Sequence, residues 1–422
     1  MASGVLPCMV QRSTIPGMTP STERRPASVG GTMQPGIARK ALAGFFLTGL
    51  LFSFLGVMLP VWGHHIGEDY IVIGNYFLSM NLGILAAFAV SRWLSGRAFS
   101  ALLAVACWLA CAALVYLALL PPGVPNWWRT GGLFFLGVAG GLLNTGILRA
   151  ITPLYRYDKA ATLNLAGAMF GAGCVVMAVL VAGTFYVYDV ASILLLVASI
   201  PAFFGIVYTR SRMAGGEPAA GAEAQPSWRQ AFRDFRSLAA VLFTLLLFFQ
   251  FGNEWAVAGW LPLFLIQRLG ISPESSLIML ATYWLALLVG RVVVIAALPR
   301  ISRGKLLAGS VLAALLGSTM LISTNNRFGA VTAILFIGGG FASIYPLIAE
   351  RIGGRFPYYH PGFFNGIFSF ALTGGMLAPW SLGFFTDLWG IRVAMLLPFF
   401  GTLMVFLLLI LLWAEAKFRE GI

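Results

Sequence analysis

Charge is what this sequence has least of. Only 10% of its 422 residues are Asp, Glu, Lys or Arg, and 14 acids stand against 27 bases. The four cysteines, Cys8, Cys107, Cys111 and Cys174, show no CxxC or Cys/His spacing, which argues against a disulfide framework or a zinc site, and no metal is expected. His64 and His65 share a short loop with Glu68 and Asp69, without helical register or a third ligand, so a solvated loop is the simpler reading. No P-loop pattern occurs. No acid or histidine in the apolar segments complements Glu254; the nucleophile and base that an intramembrane hydrolase needs are missing, and an enzyme is not expected. Residues 1–36 are rich in Ser, Thr, Pro and Arg without an apolar signal core. A disordered tail is expected there, with Met33 as an alternative start.

What is abundant is apolar surface. Hydrophobic residues make up 59% of the chain and the mean hydropathy is +0.88, more than a soluble core can hide. Windows of about 20 apolar residues, the length that crosses a ~30 Å hydrocarbon layer, predict twelve transmembrane helices. They cover 41–62, 71–91, 98–119, 130–149, 161–184, 190–209, 238–266, 276–297, 306–323, 329–349, 362–385 and 392–413. Basic residues crowd one side of this bundle: Arg24, Arg25, Arg39 and Lys40 before the first helix, Arg92 and Arg97, Arg149 to Lys159, Arg210 to Arg236, Arg300 to Lys305, and Lys417 and Arg419. The other side has Arg129, Arg268, Arg327 and Arg392. The positive-inside bias puts both termini in the cytoplasm, and a multi-pass protein of a bacterial inner membrane is expected. The net charge of +13 then reports topology and anionic lipid headgroups, without nucleic acid as a partner.

The chain also matches itself. Leu59-Pro60 corresponds to Leu261-Pro262, Phe134 to Asn144 corresponds to Leu335 to Tyr345, and Asn164 and Gly173 correspond to Asn365 and Gly374, all at an offset of 201 or 202 residues. Two six-helix halves related by an axis along the membrane normal are implied. The expected organisation is a cytoplasmic tail (1–36), an N-terminal bundle (37–209), a linker with an amphipathic, inner-leaflet segment (210–237), a C-terminal bundle (238–414) and a second tail (415–422). Glycines at 137, 140, 141, 171, 173, 290, 338–340, 374 and 375 predict close helix packing, because apolar burial does not drive helices together in lipid.

The segment Thr244 to Leu265 sets a carboxylate, Glu254, inside a run long enough to cross the membrane. A charge at that depth costs about 2.5 kcal/mol or more, so such a group faces a protein-lined or watery cavity. Gln250, Glu254 and Ala258 share one helical face. The counterpart of Glu254 in the first half is Phe52, and Tyr345 is the counterpart of Asn144, so the halves are alike in architecture and unlike in chemistry. The amides Gln250, Asn253, Asn144 and Asn164 are candidates for recognising hydroxyls, or alternatively for joining helices. Trp255, Trp260, Tyr283, Trp284 and Tyr345 are candidates to stack on a solute ring or close a cavity, or for plain packing.

These residues resemble the major facilitator superfamily, and within it the fucose:proton symporter branch of sugar permeases. The likeness rests on Gly252-Asn-Glu254 with Trp260-Leu-Pro, Gly290-Arg291 with Arg300-Ile-Ser-Arg-Gly-Lys-Leu-Leu307, Asn164 through Gly173, Gly338 through Tyr345-Pro346, and Gly374-Gly375 with Pro379 and Gly383; it spans 41 to 413. The resemblance implies alternating access and an inner gate at Arg92, Arg97 and Arg291. It departs at Ser91-Arg92-Trp-Leu-Ser-Gly96-Arg97, which lacks the superfamily's Asp, and in the absence of carboxylates from helices 1 and 4. Coupling then falls to Glu254, since an apolar cavity disfavours a charged carboxylate and makes proton exchange a means of linkage. The expectation is a secondary active transporter of a small polar solute, a sugar by resemblance, acting as a monomer among membrane lipids, without cofactor and driven by H+ or Na+. A proton-coupled exporter of drugs or lipid-like compounds is the alternative, and a non-transporting sensor a third.

Overall fold

In a computed structural model the described residues are 35–67, 69–93, 99–121, 123–157, 159–211, 237–356 and 361–420. They form twelve helices, and no strand occurs among them. We number them α1 (Pro35–Val61), α2 (Tyr70–Trp93), α3 (Phe99–Leu119), α4 (Asn126–Tyr157), α5 (Lys159–Thr184), α6 (Val190–Arg210), α7 (Leu238–Leu269), α8 (Pro273–Ala297), α9 (Arg303–Ser323), α10 (Arg327–Arg355), α11 (Pro361–Trp389) and α12 (Val393–Glu420). Over the described residues eleven are long and apolar enough to cross a membrane, and α11 has the same length class.

Local chemistry sets several ends. Ser237 and Asn326 accept hydrogen bonds from the third residue of their helices, satisfying otherwise unpaired N–H groups. Gly270 closes α7 in the left-handed region at φ 63°, where a side chain would be strained. Several helices outrun their apolar windows: α4 continues to Tyr157, α10 to Arg355 and α12 to Glu420. Backbone hydrogen bonding continues past the hydrocarbon edge, and hydropathy reports only the part that lipid requires. The residues 415–420 assigned to a tail are thus helical, and Glu415 accepts two hydrogen bonds from Arg355 at 2.7 and 2.8 Å. Most of the assigned N-terminal tail and linker lies outside the described residues.

Packing repeats between halves. In the first, α1 packs on α5, α2 on α4, α3 on α4 and α6; in the second, α7 packs on α11, α8 on α10, α9 on α10 and α12. The correspondence reaches single atoms. A Cβ on Gly173 would collide with the carbonyl oxygen of Phe46, and one on Gly374 with that of Phe248. Across the seam, α2 packs on α11 and α5 on α8, while α1 meets α7. The outer surface is apolar: Ile278, Leu285, Val289 and Val292 stand exposed along α8, at the spacing of a lipid-facing stripe.

The seam is closed toward the face opposite the termini. Gly56 abuts Ala258 and Gly259, and Gly74 abuts Gly383, so backbones touch. Tyr70 donates to Gln267 Oε1 at 3.0 Å, Gln267 donates to the His65 carbonyl at 3.4 Å, and Tyr186 donates to Glu274 Oε2 at 2.6 Å. Toward the termini, α2 and α11 diverge around a narrow cleft lined by Phe52, Met80, Asn81, Phe88, Trp255 and Met376, among others.

Candidate functional site

Glu254 lies at the seam. The stripe Gln250, Glu254, Ala258 faces the first half, because Ala258 is the residue that abuts Gly56 of α1. Gln250 Nε2 donates to Glu254 Oε1 at 2.8 Å, which fixes the carboxylate from one turn below. Gln250 itself is fully buried, and its Oε1 has no hydrogen-bond partner. The Tyr283 hydroxyl donates to the backbone carbonyl of Glu254 at 3.4 Å. Glu254 nevertheless keeps accessible surface, as do Phe52, Phe170, Trp255, Leu288 and Arg291 around it. Groups of that exposure, deep in a bundle, line a space.

Four rings from four helices enclose that space on its closed side. Phe52 of α1 meets Phe170 of α5 at 6.1 Å and Trp255 of α7 at 5.9 Å; Trp284 of α8 meets Phe170 at 6.4 Å and Trp255 at 6.5 Å. Every contact is edge-to-face, the geometry that ring quadrupoles favour. The result is a closed aromatic box, two rings from each half. Phe52 was identifiable in the sequence only as the repeat partner of Glu254, and Phe170 only as part of a motif; the signal for Phe52 was the 201–202 register.

The other sequence candidates are dispersed. Asn253 is buried and donates to Thr402 Oγ1 of α12 at 3.3 Å, so it joins helices within the second half; one residue along a helix is 100° around it. Trp260 is fully buried, donates to the Pro379 carbonyl at 3.0 Å and stacks on Phe77 at 6.2 Å. It belongs to the closed end of the seam, away from the space. Tyr345 meets Phe251 edge-on at 5.3 Å, behind α7. Asn144 is half-buried on α4, one turn beyond Gly140, whose missing side chain makes room for the Phe52 ring. The side chains of Asn164 and Arg92 and all of Arg97 lie outside the described residues.

Arg291 enters the space from α8. Its Nη1 would stand 2.7 Å from a Cβ on Gly167 of α5, and its Nε is buried without a hydrogen-bond partner. Its field reaches Glu254. No group of three or more His, Cys, Asp or Glu fit to hold a metal occurs among the described residues.

The family model described as Major Facilitator Superfamily matches residues 41–379. A search of curated proteins finds no match. Among solved structures, the chain resembles the nucleoside transporter NupG at a TM-score of 0.66 and 13% identity, over 90% of this chain and 98% of that one. A point mutant of NupG gives 0.69 at 14% identity, over 88% and 99%. A point mutant of the E. coli fucose:proton symporter FucP gives 0.57 at 14%, over 89% and 98%, and FucP in the outward conformation gives 0.58 at 15%, over 89% and 98%. At these identities the likeness is one of fold.

Proposed function

The chain belongs to the major facilitator superfamily and is a transporter, not an enzyme, and from that premise we propose a secondary active symporter of a small polar solute, with Glu254 exchanging the coupling proton. The observation that carries this reading is the placement of Glu254: a carboxylate at the seam of two bundles, held by Gln250 and bordering a space that is closed on one side. In alternating access the site stays fixed while the halves rock around it. The crowding of basic residues beside the termini supports a cytoplasmic assignment for that face, and the open cleft between α2 and α11 then faces inward. The aromatic box is the ceiling against which a sugar ring, or the ring of a nucleoside, stacks. Asn144 provides an amide for hydroxyls, while the fully buried Gln250 holds the carboxylate in place. Arg92 and Arg97 remain the proposed inner gate; Arg291, expected there with them, lies instead against Gly167 of α5 beside the space.

The apolar lining of the cleft, where Asn81 is the polar side chain among largely aliphatic and aromatic neighbours, favours a second reading, export of drug-like or lipid-like compounds entering between α2 and α11. Reconstituted protein distinguishes the two. Counter-flow of labelled sugars and nucleosides, together with uptake driven by an imposed pH gradient, is the test. Symport requires that Glu254→Gln retain counter-flow and lose the gradient-driven accumulation, which at one proton per solute is about tenfold for each pH unit imposed, about 1.4 kcal/mol. Equal accumulation by variant and parent sinks the coupling assignment, and efflux of a lipophilic dye with no sugar or nucleoside flux moves the protein to the exporter class.

A further inference from the structure

The proton and hydroxyl chemistry above leaves Arg291 unused. Its neighbour Gly290 packs against Gly339 and Ala342 of α10, which turns Arg291 away from its own half and toward α5. There the guanidinium occupies the room vacated by the absent side chain of Gly167. Its Nε is buried and unbonded, and the ion pairs among the described residues, Arg303–Glu350 and Arg355–Glu415, do not include it. The carboxylate within its field is Glu254, already engaged by Gln250. Tyr283 and Cys174, whose fields also meet Arg291, add a hydroxyl and a thiol and no further anion. Leaving a buried donor unpaired is costly, more so when it is charged, and an intramembrane arginine marks a pathway or a partner. A guanidinium presents two parallel N–H groups that match a carboxylate.

We infer that the solute is an organic monoanion of sugar size, its carboxylate held by Arg291 and its remaining bulk lying toward Gln250 and the aromatic box. The inference rests on the central space being the solute site and adds the sign of the solute's charge. It also follows from charge balance: with Glu254 protonated the site keeps one uncompensated cation, which a single negative charge neutralises. Proton and solute then cross together without net charge movement.

The experiment measures binding and proteoliposome uptake of D-gluconate and D-glucuronate beside D-glucose, L-fucose and uridine. The expected result is that a monoanion binds and the neutral solutes do not. Arg291→Gln then weakens binding at least about tenfold, Arg291→Lys retains part of it, and uptake follows the pH gradient but not the membrane potential. Gly167→Ala is the second variant. It keeps the charge and displaces the guanidinium, so it weakens anion binding too, with the folded state checked by thermal unfolding. Neutral solutes bound equally by parent and Arg291→Gln overturn this inference and leave the symport reading standing; no binding or flux of either kind overturns both.

Discussion

Glu254 and its neighbours show how one side chain acquires a role from its surroundings. Hydrogen-bonded to Gln250 and bordered by rings, the carboxylate is held in place with its charge poorly solvated, the condition under which proton binding couples to occupancy. The box above it is testable residue by residue. Phe52→Ala removes two edge contacts, each about 0.5–1.5 kcal/mol beyond burial, and is expected to lower the unfolding temperature in detergent and to weaken solute binding together. Lower stability with unchanged affinity assigns the box to packing alone. A second residue-scale case lies on the opposite face, outside the membrane-spanning segments. His64, expected in a solvated loop, is instead buried against Tyr76, and burial first, then the Arg129 charge, lowers its pKa from 6.5 to about 4. The neutral form is the folded form, so its stabilisation is complete above pH 6.5 and is lost as pH falls from there toward 4. The full effect is about 3 kcal/mol. On going from about pH 7 to about pH 4, the unfolding temperature is expected to fall more steeply for the parent than for His64→Gln, and parallel curves would refute the assignment.

At the scale of the element, glycines decide which helices can touch. Gly173 and Gly374 occupy equivalent places in α5 and α11, each against a carbonyl oxygen of the partner helix, where lipid provides no other force for close approach. Gly173→Ala and Gly374→Ala are each expected to cost about 1–3 kcal/mol by overpacking. Gly183→Ala, with nothing within 4 Å of its new methyl, is expected to be neutral or to stabilise by up to about 1 kcal/mol through helix propensity. Unfolding temperatures of the three variants in one detergent check the ordering. The pairing of these glycines was already visible in the sequence as a common offset. Which carbonyl each one meets was not, because that depends on a neighbouring helix more than a hundred residues away in the chain.

The whole molecule is closed at one face and parted at the other. Tyr70–Gln267 and Gly74–Gly383 join the halves on the closed side, and the cleft separates α2 from α11 on the side of the termini. If transport reverses this arrangement, a reducible cross-link between cysteines placed at Tyr70 and Gln267, in a background lacking Cys8, Cys107, Cys111 and Cys174, is expected to stop flux almost completely. Reduction is expected to restore it. Undiminished flux through the cross-linked protein would mean that this face never opens.

By itself the sequence determined the class, the twelve helices, the twofold repeat and the one deep carboxylate with its partner amide, because these follow from hydropathy, local periodicity and spacing along one helix. Only the tertiary structure decided the rest. It turned Asn253 to Thr402 and Trp260 to Pro379, drew Phe52 and Phe170 into a box with Trp255 and Trp284, and brought Arg291 against Gly167. The physical reason is that an apolar helix surface looks alike all round in composition. Which side faces lipid, a neighbour or a shared space is fixed by the close approach of helices distant in the chain, and no local pattern records it.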